Sequence, residues 1–322
     1  MTPEEFASHV DAIERELGKV IVGQEDLVRA VVLGMLAEGH VLLEGVPGLG
    51  KTLLLRTLGE ALAVEFGRVQ FTPDLMPADI VGTNVLSDGA FSFHAGPVFA
   101  NVVLADEVNR ATPKTQSALL EAMQERRVTL GGETHELPRP FFVMATQNPL
   151  EMEGTYPLPE AQLDRFLFKV LVPFPSADDI VEILARTTAD TTPQVAQIAD
   201  GAKLAEMIAI VREVPAASHV MRYAATLVAA THPQHASATP KVKEYVRFGA
   251  SPRAAQAMVL GGKAMALTDA RYNLSGDDVR EVAKLALRHR LVLGYEAAAD
   301  GVAADDIIEE LLAAYPAPTV ES

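Results

Sequence analysis

The stretch Gly45-Val46-Pro47-Gly48-Leu49-Gly50-Lys51-Thr52 fits the pattern G-x-x-x-x-G-K-[ST] of a phosphate-binding loop. Its glycines let the backbone curl, so that successive N–H groups point at phosphate oxygens without a Cβ in the way. Lys51 adds a positive charge, and Thr52 offers a hydroxyl to Mg²⁺ where a helix begins. We therefore expect this loop to bind the β- and γ-phosphates of a nucleotide.

The residues on either side of the loop fit the structure that it requires. Residues 41–44 form a short apolar run typical of a buried strand, and residues 53–63 have the composition of a helix. An ordinary strand-to-helix turn is the alternative. The order of strand, glycine loop and helix favours the nucleotide site, with Leu53 as a further candidate contact.

A second strand-like run, downstream of the loop, ends in two acidic residues. Residues 101–105 are mostly apolar, and Asp106 and Glu107 follow them. Beside a phosphate-binding loop, the first carboxylate is placed to hold Mg²⁺ and the second to polarise a water for attack on the γ-phosphate. A solvated strand end is the alternative. Together with the loop, the acid pair predicts hydrolysis of the bound nucleotide as well as binding.

Two later segments contribute polar candidates. Asn148 follows the apolar run 140–146, and its amide is placed to orient the attacking water or to contact the γ-phosphate; a plain turn before Pro149 is the alternative. Arg165 follows Asp164 at the end of a short helical segment. It is either a surface charge paired with Asp164 or an arginine offered to the γ-phosphate of a neighbouring subunit.

The pattern of the chain changes after Pro173-Phe174-Pro175, because apolar residues then recur at helix spacing. We predict a core over residues 1–174 and an all-α domain over residues 175–322. In the second domain, Ser251-Pro252-Arg253 has the pattern of an N-cap and first helical turn. An arginine there opposes the helix dipole unless an anion is bound, so Arg253 is a candidate phosphate contact. An exposed, mildly unfavourable arginine is the alternative.

Composition limits the remaining possibilities. The 322 residues are enough for about two domains, and the absence of cysteine excludes disulfides and cysteine-ligated zinc. The acidic N-terminal residues lack a signal-peptide pattern, and no apolar run is long enough to span a bilayer. We therefore expect a cytoplasmic protein without membrane insertion. A net charge of −16 disfavours nucleic acid as a partner.

Three further segments each have two interpretations. Residues 20–24, which include Val22 and Gly23, form a turn that either packs on the core or forms a wall against the adenine base. Residues 81–99, with a predicted turn at Asp88-Gly89, and residues 128–137 are either inserted hairpins or surface loops.

Taken together, these segments resemble the AAA+ ATPases, and more closely the MoxR family, across nearly the whole chain. Each motif alone is moderately specific, and their shared order makes the match specific. The stretches that carry the resemblance are Ile21-Val22-Gly23-Gln24, the loop at 45–52, Phe71-Thr72-Pro73-Asp74-Leu75-Met76-Pro77-Ala78-Asp79-Ile80, Gly96-Pro97-Val98-Phe99, Ala105-Asp106-Glu107-Val108-Asn109-Arg110-Ala111, residues 116–125, Ala145-Thr146-Gln147-Asn148-Pro149, Leu163-Asp164-Arg165-Phe166 and Gly249-Ala250-Ser251-Pro252-Arg253.

The resemblance implies a P-loop α/β core of AAA+ type, with a five-stranded parallel sheet and a helical lid. It also implies a ring, usually a homo-hexamer, with ATP at the subunit boundaries. By this resemblance, Asn148 matches the sensor 1 position, Arg165 the trans-acting arginine finger and Arg253 the sensor 2 arginine. The two hairpin segments match inserts that face the pore in related rings.

MoxR proteins are regarded as chaperone-like. They help to mature metal-dependent enzymes or act with von Willebrand factor A domain partners, so the resemblance implies protein clients for this chain.

Two other functions stay open from the sequence. A nucleic-acid motor is the first, because related helicases have the same two hairpins. The tip at residues 131–136 is acidic, however, where a DNA-binding tip would need lysine or arginine. The second is a nucleotide-dependent scaffold with negligible hydrolysis, since motifs do not set a rate.

Overall fold

The computed structural model describes residues 1–46, 48–87, 90–149, 154–188 and 193–318. Pro47 and the predicted turn at Asp88-Gly89 lie outside the described residues. The helices are α1 (Pro3–Gly18), α2 (Glu25–Leu36), α3 (Lys51–Ala61), α4 (Pro77–Val81), α5 (Pro113–Glu125), α6 (Glu160–Leu163), α7 (Ala177–Thr187), α8 (Gly201–Glu213), α9 (Ser218–Ala230), α10 (Pro240–Tyr245), α11 (Pro252–Thr268), α12 (Gly276–Leu287), α13 (Tyr295–Ala299) and α14 (Ala304–Ala314). The strands are β1 (Val41–Glu44), β2 (Phe66–Gln70), β3 (Gly82–Ser87), β4 (Ala90–Ala95), β5 (Val102–Asp106), β6 (Arg127–Leu130), β7 (Glu133–Glu136), β8 (Phe142–Gln147), β9 (Phe168–Leu171), β10 (Val246–Phe248) and β11 (Val292–Leu293).

The chain forms two compact units. The sheet unit comprises His9–Leu158 and Val170–Glu206, and the helical unit comprises Met1–Ser8, Pro159–Lys169 and Met207–Ser322. The segment that contains Arg165 is therefore one of three stretches gathered in the helical unit. The functional boundary that we place after residue 174 stays a prediction.

The sheet unit is built on five strands in the order β2-β5-β8-β1-β9, which confirms the expected five-stranded parallel sheet. The apolar side chains of β1, β5 and β8 are buried along their whole length. Strands covered on both faces have this composition, which explains the continuous apolar runs in the sequence. Glu44 pairs with Gln147 and Gln70 with Asp106, so the carboxyl ends of four strands meet at one edge.

The two inserted segments are antiparallel hairpins, as one of the two interpretations of the sequence predicts. The first pairs β3 with β4, and the second pairs β6 with β7. Phe93 in β4 stacks on His135 in β7, with 3.8 Å between ring centroids and an interplanar angle of 11°. The two hairpins therefore pack against each other through an aromatic pair.

In the helical unit, α11 packs against both α9 and α12, and the shared core includes Leu227, Met258 and Val282. Ser251 caps α11 as predicted, because its Oγ accepts a hydrogen bond from the N–H of Arg253 at 3.2 Å. The sequence did not predict the short antiparallel pair β10–β11. In the described stretches, no helix combines the length and apolar character that crossing a bilayer requires.

Candidate active site

A cavity of about 260 Å³ lies in the sheet unit, at the carboxyl ends of β1, β5 and β8. This edge is where parallel α/β sheets bind ligands. The cavity brings together most of the residues that the sequence singles out. Its lining consists of Gly45, Gly48, Leu49, Gly50, Lys51, Thr52, Leu53, Asp106, Glu107, Thr146, Gln147 and Asn148.

The loop between β1 and α3 turns its backbone toward this cavity. Gly48 and Gly50 have φ angles of 86° and 74°, in the left-handed region that glycine adopts without strain. Gly50 directly precedes the first residue of α3, so the N-terminal end of that helix opens at the cavity. Backbone N–H groups and a helix N-terminus are the groups that bind phosphate, so the loop fits a phosphate ligand.

Lys51 is the first residue of α3, lines the cavity and is largely buried. Its Nζ donates a hydrogen bond to the carbonyl oxygen of Gly45 at 2.6 Å. Burial lowers the pKa of Lys51, and the nearby carboxylates of Asp106 and Glu107 oppose that effect. An anionic ligand in the cavity would also favour the charged ammonium, because it adds negative charge close to the Lys51 side chain.

Asp106 is held from two sides at the end of β5. Arg68 Nη2 donates to its Oδ2 at 2.8 Å, and Thr146 Oγ1 donates to its Oδ1 at 2.7 Å. Thr52 lines the same cavity and adds a hydroxyl. Among the described residues, no group of three or more acidic or histidine side chains could hold a metal alone. Since Mg²⁺ usually combines one or two protein ligands with substrate phosphates, Thr52 and Asp106 beside the loop fit that ion.

Glu107 has a left-handed backbone, with φ 58° and ψ 49°. This conformation costs a residue with a Cβ about 1 kcal/mol or more, and such strain clusters at functional positions. Its N–H donates to Thr146 Oγ1 at 2.9 Å. Gln70 Nε2 and Arg110 Nη1 donate to its Oε2 at 2.8 and 3.1 Å. The carboxylate is thus held at the edge of the cavity.

Asn148 lines the cavity together with the acid pair and is largely buried. Its carbonyl oxygen accepts a hydrogen bond from Asn109 Nδ2 at 3.4 Å, which ties the end of β8 to the residues after β5. The structure therefore brings Asn148 to the ligand-binding edge, as its position after a buried strand predicts.

Sequence reasoning missed Arg68, Gln70, Arg110 and Thr146, which hold the two acids. Arg68 and Gln70 lie on β2, and Gln70 pairs directly with Asp106 in the parallel register. The pairing of β2 with β5 is invisible in the sequence, because α4 and a hairpin separate the two strands. For Arg68 and Gln70, the one available signal was the presence of polar residues at alternate positions of β2.

Some candidates lie elsewhere among the described residues. Val22, Gly23 and Val46 do not line the cavity, although the turn at 20–24 touches the loop, where Gln24 Nε2 donates to the Leu49 carbonyl oxygen at 3.4 Å. Pro47 lies outside the described residues. Arg165 and Arg253 belong to the helical unit, and their roles stay predictions.

A parallel five-stranded sheet with this loop, the acid pair at the end of β5 and a helical lid region defines a P-loop ATPase of the AAA+ class. Comparison with family models agrees. A model of the ATPase family associated with various cellular activities (AAA) matches residues 40–168, and a model of the AAA lid domain matches residues 240–311.

The chain also resembles individual proteins over nearly its whole length. Chaperone MoxR1 of Mycobacterium tuberculosis is 45% identical over 324 residues, which cover 99% of this chain and 86% of that protein. Protein MoxR of Paracoccus denitrificans is 33% identical over 297 residues, which cover 87% of this chain and 87% of that protein. The crystal structure of a protein from Cytophaga hutchinsonii matches with a TM-score of 0.92 at 40% identity, covering 98% of this chain and 97% of that one. The chain therefore belongs to the MoxR family of AAA+ ATPases.

Proposed function

We propose that this AAA+ ATPase hydrolyses ATP with Mg²⁺ at sites shared between the subunits of a ring, usually a hexamer, and thereby remodels protein partners in the cytoplasm. The observation that carries the proposal is the cavity in which the phosphate-binding loop, Asp106, Glu107 and Asn148 meet. Family membership supports the ATPase activity in general. The residue roles, the ring and the clients are the proposed part.

In this proposal the loop backbone and Lys51 hold the β- and γ-phosphates. Thr52 and Asp106 would hold Mg²⁺, which supplies positive charge to the phosphate oxygens when bound. Glu107 accepts a proton from the attacking water, and Asn148 orients that water. Gln70 and Arg110 support this role, because their hydrogen bonds keep the Glu107 carboxylate at the cavity edge.

Two arginines of the helical unit complete the proposed chemistry. Arg165 is half-buried, and within the described part of the chain its guanidinium makes no hydrogen bond or ion pair. It is thus available to the γ-phosphate of a neighbouring subunit, where it would offset charge in the transition state. Arg253 lies in the first turn of α11, where a bound phosphate would relieve its conflict with the helix dipole.

The hairpins favour a protein client over a nucleic acid. Phe91 and Leu86 on the first hairpin are 74% and 62% exposed, which suits contact with apolar polypeptide. The second hairpin carries exposed Glu133 and Glu136, which would repel a phosphate backbone. The relative named Chaperone MoxR1 also supports protein clients. We also propose that the protein acts with a partner that contains a von Willebrand factor A domain, as the resemblance to MoxR proteins implies.

ATP turnover per protomer, measured against protein concentration in Mg²⁺, tests the proposal. We expect turnover to rise with concentration as rings form, and chelation of Mg²⁺ to abolish it. Arg165→Ala should bind ATP without turnover, whereas Lys51→Ala should lose both. Turnover that is flat with concentration and equal in Arg165→Ala would contradict the shared site. ATP binding without turnover in the wild type at every concentration would support the scaffold instead.

A further inference from the structure

Asp164 joins the segment that contains Arg165 to the start of α11. The Ser251 hydroxyl lies 2.9 Å from each Asp164 carboxylate oxygen and donates to that carboxylate. The same hydroxyl accepts the N–H of Arg253, so both of its hydrogen-bonding functions are used. Arg253 Nη1 lies 3.9 Å from Asp164 Oδ2. The Asp164 side chain thus connects the backbone next to Arg165 with the first turn of α11, which carries Arg253.

Arg290, just after α12, holds the same segment from the other side. Its side chain is 3% exposed, and its Nε donates to Asp164 Oδ1 at 2.7 Å. Its two terminal nitrogens donate to the carbonyl oxygens of Asp164, Phe166 and Leu167 at 3.2, 2.6 and 3.1 Å. A planar guanidinium with five donors is suited to fixing a turn in this way. The backbone on both sides of Arg165 is therefore fastened to the helical unit.

Packing fastens the segment further. His289 Nε2 lies 3.1 Å from the Phe166 carbonyl oxygen, and the Phe166 and Phe168 side chains are fully buried. A Cβ at Gly261 in α11 would lie 2.4 Å from the Phe168 ring, so only glycine allows the helix to approach this closely. The segment from residue 164 to residue 168 is thus held both by α11 and by the residues that follow α12.

We propose that Asp164, with Ser251 and Arg290, couples the two candidate phosphate-binding arginines of one protomer. The inference rests on the proposed function, in which Arg253 contacts the nucleotide beside its own lid and Arg165 reaches the next subunit's nucleotide. A nucleotide that displaces Arg253 would displace Ser251, and through Asp164 the adjacent Arg165. Nucleotide binding at one site would then change the position of Arg165 at the neighbouring subunit's site. The two sites would therefore be linked by a coupling free energy.

Replacement of Ser251 tests this link. Ser251→Gly removes the donor to Asp164, and glycine is accepted at N-caps, so α11 should still begin at residue 252. Ser251→Thr keeps both the donor and the cap and is the matched control. Ser251→Asp also caps the helix, but its carboxylate cannot donate to Asp164 and repels it, which provides a second test if the glycine variant unfolds early.

We expect cooperative ATP turnover, with a Hill coefficient above 1, in the wild type and in Ser251→Thr. In Ser251→Gly or Ser251→Asp the coefficient should fall to near 1, while half-saturation changes by less than about threefold. Thermal unfolding of each variant confirms that the fold is kept. Turnover without cooperativity in the wild type, or unchanged cooperativity in both link-breaking variants, would overturn the coupling. Full turnover in Arg165→Ala would instead overturn the proposed function, so the two failures are distinguishable.

Discussion

Two clusters of polar side chains, one around Asp106 and Glu107 and one around Asp164, differ in the burial of the arginines that bind their carboxylates. At the cavity, Asp106 and Glu107 are bound by arginines that lie partly in solvent, Arg68 with its side chain 46% exposed and Arg110 with 41%. In the helical unit, Asp164 is bound by Arg290, whose side chain is almost completely buried. Exposed ion pairs exchange partners at little cost, whereas a buried pair is costly to break. The first cluster is therefore suited to receive a ligand and the second to transmit position.

The backbone shows the same contrast. Glu107 is in the left-handed region, with φ 58°, whereas Asp164 has φ −62° and ψ −13°, an ordinary right-handed conformation. Backbone strain persists where the surrounding structure enforces it, and such positions cluster at functional sites. The strained acid is the one to which we assign chemistry, and the relaxed acid is the one to which we assign a structural link.

The largest expected effect is on hydrolysis. Glu107→Gln should lower ATP turnover by about 10²–10⁴-fold, because it removes the proposed proton acceptor while keeping the size of the side chain. Binding of a fluorescent ATP analogue should remain. Glu121→Gln, at an exposed position on α5, is the control and should keep wild-type turnover. Turnover of Glu107→Gln within tenfold of the wild type would contradict the catalytic role that we assign to Glu107.

A matched pair of arginine variants tests the structural half. Arg290→Ala should lower the free energy of unfolding by about 3–5 kcal/mol, because it leaves a carboxylate and several carbonyl oxygens without their buried donor. Arg68→Ala should cost about 1 kcal/mol or less, because its ion pair is half exposed. Urea unfolding at neutral pH measures both values. Equal losses would mean that the two clusters do not differ as their burial indicates.

The buried His40 in the sheet unit should make the stability of the protein depend on pH. His40 Nδ1 accepts the Val143 N–H at 3.0 Å, its Nε2 lies 3.1 Å from the Met123 carbonyl oxygen, and burial lowers its pKa from 6.5 to about 4. Below pH 6.5 the histidine of the unfolded state binds a proton that the folded state does not. The stability that His40 contributes is therefore fully present above pH 6.5 and is lost as pH falls toward 4. From pH 7 to pH 5 the loss from this residue should be about 2 kcal/mol.

Urea unfolding at pH 7 and pH 5 measures that loss, and His40→Gln should make it smaller because glutamine does not titrate. An identical loss in the variant would show that other groups govern the acid response. His289 in the helical unit is also buried, and burial holds its pKa far below the ordinary value, so it can be compared with His40 in the sheet unit.

The sequence predicted those features whose signals are local. The phosphate-binding loop, the acids after β5, the N-cap at Ser251 and the alternation of strands and helices all follow from neighbouring residues. Arg68 and Gln70 escaped prediction because their importance depends on strand order. The Arg290–Asp164 pair joins residues 126 positions apart, and no local pattern indicates such a pairing. The pair β10–β11 is too short for a periodic signal.

Turnover by mixed rings of two variants tests shared-site hydrolysis most directly. Glu107→Gln keeps Arg165, and Arg165→Ala keeps Glu107, so each variant alone should be nearly inactive. In a ring of head-to-tail contacts, an equal random mixture completes a site at about one boundary in four. The prediction is therefore that the mixture recovers turnover well above the sum of the two variants alone, up to about a quarter of the wild-type value per protomer. Turnover no greater than the sum of the two variants alone would contradict a site built from two subunits.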